Sequence, residues 1–259
     1  MITNVSIAFV YREAAFKSET ISQTHLGEAL EVIAEEDEWV KVRQTDGYIG
    51  WVSTAFVVKK TEIWNNSDLF SPAKQVSWIY QSPDNQSTTV RDMTLLSGLP
   101  ILERQNGWVK LLLPDGVHGW AEDIARFPVK TTDVEQLVQT ALSFLGIQYF
   151  WGGRSPKGFD CSGFSQTVFG LNGFDLPRDA YQQAEIGHEV EGDFSNWMVG
   201  DLIFFSERPN KITHVAISLG NGDFVHASGF VKLNSLNPEN ENLYIEKYAA
   251  ILTKTMRVL

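Results

Sequence analysis

Phe159-Asp160-Cys161-Ser162-Gly163-Phe164 carries the single cysteine of a 259-residue chain. A lone cysteine is by composition a small buried hydrophobe, and its neighbours argue for more. Upstream, Tyr149-Phe150-Trp151-Gly152-Gly153 reads as a glycine turn. Downstream, Phe164, Val168 and Leu171 recur as on one face of a helix. Asp160 is then an N-cap candidate and Cys161 opens the helix. The positive end of a helix dipole lowers a thiol pKa, so Cys161 is expected to be an activated nucleophile.

A nucleophile needs a base, and the base needs a third group to orient it. His214 begins the β-rich run His214-Val215-Ala216-Ile217-Ser218-Leu219, and His226 lies in Phe224-Val225-His226-Ala227. The turn Gly220-Asn221-Gly222-Asp223 joins them as a hairpin. Pairing of residues summing to about 440 sets the two histidines opposite each other, where Cβ atoms are ~4.5–5.5 Å apart. His214 is the expected base and His226 the orienter. The Cys161 backbone N–H is an oxyanion-hole candidate, a type of donor that contributes ~3–4 kcal/mol. Cys, His and His also form a zinc set, but the short ligand-pair spacings of zinc sites are missing, so no metal or other cofactor is expected. His25, His118 and His188 have no such context and are expected at the surface.

The formal net charge of −11 argues against nucleic acid and anionic lipid as partners. No apolar run of about 18 residues predicts membrane insertion. The first residues show no basic region followed by a long apolar one, so a cytoplasmic location is expected, with export through a leader outside this sequence as the alternative. Hydrophobic content of 43% allows a normal core. Nothing in the sequence sets an oligomeric state.

The N-terminal half contains a duplication. Glu38-Trp39-Val40-Lys41-Val42 recurs as Gly107-Trp108-Val109-Lys110-Leu111, and Asp46-Gly47-Tyr48-Ile49-Gly50-Trp51-Val52 as Asp115-Gly116-Val117-His118-Gly119-Trp120-Ala121. Every matched pair is offset by 69 positions. Runs such as Ala29–Ala34 and Trp39–Val42 read as strands, and Asp46-Gly47 and Asp115-Gly116 as turns. Asn65–Asp68 and Ser71-Pro72 read as loop between the copies. Each copy predicts a small β-barrel.

After Pro128 the pattern changes. Thr132-Asp133 can cap a helix whose apolar stripe is Val134, Leu137, Val138, Ala141, Leu142 and Leu145, ending at Gly146. The cysteine helix follows, then Asp201–Phe205 as a strand, the histidine hairpin, and Ala250–Val258 as a closing strand. Helices first and an antiparallel sheet afterwards define an α+β domain. The expected domains are 1–60, 61–128 and 129–259.

Asp160-Cys161-Ser162-Gly163-Phe164, Leu176-Pro177-Arg178, Gly200–Phe205, His214-Val215-Ala216-Ile217 and His226-Ala227-Ser228 together resemble the NlpC/p60 cysteine peptidases across residues 130–259. The resemblance implies a papain-like α+β fold and cleavage of bacterial cell-wall peptides. Cys161 becomes the nucleophile, His214 the base and His226 the third member, with Tyr149 lining the site beside the oxyanion hole. The two N-terminal copies resemble bacterial SH3-like domains, and that pairing resembles a subgroup of dipeptidyl-peptidases. Those enzymes take murein peptides with a free N-terminal L-Ala and cut between γ-D-Glu and the diamino acid. Carried over residue by residue, Asp160 and Glu13 hold the substrate ammonium, Tyr48 joins them, Trp151 forms a wall and Ser162 a polar contact. Arg178 and Asp179 lie where the D-Glu carboxylate binds. Ala180 departs from the hydroxyl residue common in the family at that position. Plainer roles compete: a helix cap for Asp160, a solvated carboxylate for Glu13, barrel packing for Tyr48 and an ion pair for Arg178. A non-catalytic wall-binding scaffold and an amidase or acyltransferase on another amide are the alternative functions.

Overall fold

The computed structural model describes residues 1–124, 133–208 and 211–259. The chain divides into two compact units, Met1–Phe127 and Pro128–Leu259. The expected boundary at 128/129 and the cap candidate Thr132 lie outside the described residues.

In the first unit, strands β1 (Ile7–Tyr11), β2 (Thr20–His25), β3 (Glu31–Glu36), β4 (Trp39–Arg43) and β5 (Ile49–Ser53) form a sheet in the order β2-β1-β5-β4-β3. The 69-residue offset then repeats as structure. β6 (Leu69–Phe70) precedes β7 (Val76–Tyr80), β8 (Thr89–Thr94), β9 (Leu99–Gln105), β10 (Trp108–Leu112) and β11 (His118–Glu122), ordered β8-β7-β11-β10-β9-β6. The bounds of β1, β2, β4 and β5 plus 69 are those of β7, β8, β10 and β11. Alternation drives the burial: Val40, Val42 and Val52 enter one core, and Val109, Leu111 and Ala121 the equivalent one. Glycine is required at one position of each copy. A Cβ on Gly50 would lie 2.5 Å from Val10 Cγ1 and 2.8 Å from the Tyr11 carbonyl oxygen, and one on Gly119 2.6 Å from Ile79 Cγ2 and 2.7 Å from the Tyr80 oxygen.

The loops repeat too, but their side chains diverge. Arg12 N donates to Glu19 O and Gln81 N to Thr88 O, both at 2.9 Å. Glu13 N donates to Ser18 Oγ and Ser82 N to Ser87 Oγ. Exposed Glu13 is thus matched by Ser82, Phe16 by Asn85 and half-buried Tyr48 by Val117. Phe16 packs 4.8 Å from Trp39 and 6.0 Å from Tyr11, an aromatic cluster the second copy lacks at Asn85.

Two expectations are corrected in this unit. His25 is 2% exposed, because Ser22–His25 of β2 are all buried. Asn65 and Asn66, read as loop, lie in a four-residue helix, Ile63–Asn66, that sets Trp64 into the core. His118 and His188 are exposed, as expected.

In the second unit, α1 (Val134–Ser143) is capped by Asp133, which accepts from Glu135 N, and buries Leu137 and Ala141. α2 (Cys161–Leu171) is buried along nearly its whole length, with Phe164 set against Phe144 and Phe159. A short α3 (Ala180–Gln183) follows. The sheet holds β12 (Leu202–Phe205), β13 (His214–Gly220), β14 (Asp223–Ser228) and β15 (Phe230–Ser235), then α4 (Glu246–Ile251) leads into β16 (Leu252–Arg257). The antiparallel order is β16-β12-β13-β14-β15, with His188–Glu189 on the β16 edge. Ala250 and Ile251 therefore end a helix instead of opening the closing strand. α2 packs on β13 and β14, which brings the cysteine helix to the histidine hairpin.

Candidate active site

Asp160 caps α2 as its position predicts: its Oδ1 accepts from Gly163 N at 2.6 Å and its Oδ2 from Gly152 N at 2.9 Å. Gly163 is needed for this approach, since a Cβ there would lie 2.0 Å from the Gly153 carbonyl oxygen. The glycine turn and the helix start are thereby locked together, and Cys161 is held as the first residue of α2.

The Asp160 carboxylate has a further partner. Arg178 Nη2 donates to Oδ2 at 2.5 Å and Nη1 to Oδ1 at 3.1 Å, while Nη1 also reaches Ser162 Oγ at 3.0 Å. Asp160, Ser162 and Arg178 are 7%, 6% and 2% exposed. The forked guanidinium matches the carboxylate in a buried setting where an unpaired charge is costly. Of the two readings of Arg178, these contacts express the ion pair, its terminal nitrogens donating to Asp160 and Ser162. A substrate ammonium at Asp160 would compete with Arg178 and two backbone N–H groups. Asp179 is half-buried at the N-cap of α3, where its own N–H donates to Gln182 Oε1. Trp151 is 60% exposed, open to form a wall. Glu13 and Tyr48 belong to the first unit.

Burial pushes the Cys161 thiol up to about 12, and the charge of Asp160 adds to it. The expected lowering by the helix start is thus reversed, because desolvation of a thiolate outweighs the favourable groups around it. Those groups are the backbone N–H of Val215, the Arg178 cation and the backbone N–H of Ser162. The Val215 contact sets the nucleophile beside the residue that follows His214.

His214 Nε2 lies 2.7 Å from His226 Nδ1, with the rings near perpendicular. The ladder pairs Ile217 with Val225 and Ser218 with Phe224, two residues away from the expected sum, with a register irregularity next to the turn. The histidines are diagonal neighbours and not directly opposed, yet their side chains meet. Phe205, Phe224 and Tyr248 enclose them, with Tyr248 stacked on His214 at 5.9 Å. Burial lowers His214 to about 4, helped by Lys247 and Lys232. Burial and the neighbouring His214 lower His226 to about 3. Both rings are therefore neutral at neutral pH. Tyr149 is half-buried, and burial together with Cys161 and Asp160 raises its pKa, which keeps the phenol a donor.

Sequence reasoning missed three polar residues. Gln183 is fully buried; it accepts from Ser165 Oγ and donates to the carbonyls of Ser162 and Pro177. Gln166 donates to the Leu176 carbonyl. These two amides fasten the Leu-Pro-Arg stretch to α2. Asn234 Oδ1 lies 2.9 Å from His226 Nε2. A buried amide in a strand is a sequence signal for such a partner, since a buried polar group must be hydrogen-bonded.

A cysteine opening a buried helix, with a two-histidine relay on the adjoining sheet, defines a thiol-dependent hydrolase site. Comparison with known proteins agrees. The NlpC/P60 family profile matches residues 146–252, and that of the bacterial dipeptidyl-peptidase SH3 domain residues 10–55. The gamma-D-glutamyl-L-lysine dipeptidyl-peptidase of Bacillus subtilis (strain 168) is 31% identical over 89% of this chain and 79% of its own length. Dipeptidyl-peptidase 6 of Lysinibacillus sphaericus is 29% identical over 95% of each. The crystal structure of an NlpC/P60 family protein from Bacillus cereus superposes with a TM-score of 0.85 over 100% of this chain and 99% of that one, at 24% identity. The chain belongs to the NlpC/P60 family of cysteine peptidases.

Proposed function

We propose that this chain is a dipeptidyl-peptidase of murein peptides. It cuts the bond between γ-D-Glu and a diamino acid in peptides that begin with a free L-Ala, during turnover of wall material. The observation that carries the chemistry is the packing of the helix opened by Cys161 on the two strands that carry His214 and His226, whose rings meet at 2.7 Å. The dipeptidyl-peptidases from Bacillus and Lysinibacillus, alike over most of their length, support the substrate.

His214 takes the thiol proton as the sulfur attacks the scissile carbonyl carbon. The high thiol pKa makes this proton transfer part of the attack, since a standing thiolate is disfavoured. The tetrahedral oxyanion is received by the Cys161 N–H, which as a first-turn donor has no intrahelical acceptor, and by the neutral Tyr149 hydroxyl. The C–N bond breaks as the His214 proton passes to the leaving amine. Water, deprotonated by His214, then cleaves the thioester and returns the thiol. His226 holds the ring of His214 throughout.

The second copy in the first unit we also read as an SH3-like domain, on its matching strand order and constant offset. Glu13 and Tyr48 enter this proposal through the family resemblance, and Trp151, Ser162 and Asp179 as substrate neighbours. Digestion of a defined set of wall peptides, read by mass spectrometry, tests the function. Release of L-Ala-γ-D-Glu is the expected product, and no cleavage of any member would overturn it.

A further inference from the structure

The reading of His214 as base leaves open which of its nitrogens carries the proton. Asn234 answers that. It lies on β15, where it pairs with Phe224, while His226 pairs with Lys232. His214, His226 and Asn234 therefore step diagonally across three neighbouring strands, each side chain reaching the tip of the next. Diagonal neighbours are ~7–8 Å apart at Cα, a gap that imidazole and amide side chains bridge tip to tip.

The orientation of the Asn234 amide is set from behind. Its Nδ2 donates to the Leu243 carbonyl oxygen at 3.2 Å, and that oxygen also accepts from Ser235 N at 2.8 Å. Both lone pairs of the carbonyl are used, and the amide nitrogen is committed to it. Oδ1 is left to face His226 Nε2 at 2.9 Å. A carbonyl oxygen can only accept, so His226 Nε2 carries the hydrogen. In a neutral ring the other nitrogen is then an acceptor. His226 Nδ1 accordingly receives the hydrogen of His214 Nε2. His214 Nδ1 is left with its lone pair.

We propose that Asn234 is the positioning residue of the relay: it fixes both histidines as Nε2–H tautomers and so makes His214 Nδ1 the nitrogen that accepts the Cys161 proton. The choice of amide over carboxylate also fits the chemistry. A carboxylate would favour the imidazolium and hold back a base that must be neutral to act. The titratable groups facing the pair are Lys232 from β15 and Lys247 and Tyr248 from α4, in addition to each histidine's partner. Of the two cations, Lys247 is paired with the Glu207 carboxylate at 2.6 Å, and α2 adds the Cys161 thiol from the face packed on these strands. Tyr248 is turned away to donate to Ser228 Oγ at 3.1 Å.

The test is nitrogen-15 NMR of the imidazoles in the full chain at neutral pH, which needs no substrate. Both histidines are expected as the Nε2–H form; His226 found as Nδ1–H overturns the proposal without any variant. In Asn234→Ala, His226 is expected to lose its single tautomer, and kcat to fall roughly tenfold to a hundredfold, the range outer partners of functional histidines carry, with KM unchanged. Asn234→Asp keeps an acceptor and adds charge, so the acid limb of the pH–rate profile should move to higher pH; a merely structural role would not move it. Wild-type kcat in Asn234→Ala, or an unmoved limb in Asn234→Asp, overturns the proposal. This inference rests on the catalytic reading but fails separately from it. Correct tautomers in a chain that cuts no wall peptide would keep the relay and remove the substrate, and cleavage with His226 as Nδ1–H would do the reverse.

Discussion

His214 Nε2 and His226 Nδ1 are 2.7 Å apart inside a wall of Phe205, Phe224 and Tyr248, and burial keeps both rings neutral. Two pH effects follow. The base is lost only as His214 protonates, so kcat/KM should hold through mildly acidic pH and fall near pH 4, well below the ordinary histidine value. An acid limb near 6.5 would contradict the burial.

The same groups affect stability. The unfolded chain binds protons at these histidines below about pH 6.5, while the folded chain binds them only near 4 and 3. Between those limits the unfolded state holds more protons, so stability should fall as pH drops and level off once the folded state titrates. Thermal unfolding between pH 7 and 4 reads this slope. His226→Gln should flatten it, and an identical slope in the variant would count against the assignment.

Arg178→Met removes the partner of a carboxylate that is 7% exposed. Stranding that charge should cost ~3–5 kcal/mol in chemical denaturation. Arg178→Lys keeps the charge but not the forked contact, and should recover only part of the loss. A variant as stable as the parent would show that the pair carries no weight at the start of α2.

Gly119→Ala places a methyl 2.7 Å from the Tyr80 carbonyl oxygen, and Gly50→Ala one 2.8 Å from that of Tyr11. Each should destabilise the first unit by ~1–3 kcal/mol. Similar losses at the two sites would express the duplication as energetics; a tolerated alanine at either would mean that the strands there can separate.

Acetylating the N-terminus of the substrate removes the ammonium that the proposed specificity requires. One charged hydrogen bond is worth ~1.5–3 kcal/mol, so kcat/KM should fall by at least about tenfold. Equal cleavage of capped and free peptides would turn the enzyme from a dipeptidyl-peptidase into an endopeptidase without amine selection.

Much of this site was legible because it depends on local chemistry. Asp160 is a cap by residue type, Cys161 starts the helix that Phe164, Val168 and Leu171 announce, and Asn221-Gly222 makes the turn that brings the histidines together. The duplication was legible from rigid positions such as Trp51 and Trp120. What escaped depends on tertiary placement. The direction of the thiol shift is decided by burial, which outweighs the helix start. The inward turn of Arg178 and the links made by Gln183 and Asn234 are satisfied only once separate segments pack. The diagonal offset of His214 and His226 follows from where the turn is centred, since it pairs Gly220 with Asp223, and the irregularity beside it moves the ladder only one step back, to Ser218 with Phe224. His25 looked like surface because nothing near it in sequence reports that β2 is buried.

The central claim is that Cys161 is the nucleophile of a peptidase acting at γ-D-Glu. The direct measurement is mass spectrometry of L-Ala-γ-D-Glu-L-Lys after incubation with the parent chain and with Cys161→Ala. The parent should release L-Ala-γ-D-Glu and lysine, with activity abolished by iodoacetamide and untouched by a chelator, and the variant should leave the tripeptide whole. Cleavage that persists in Cys161→Ala would contradict the account.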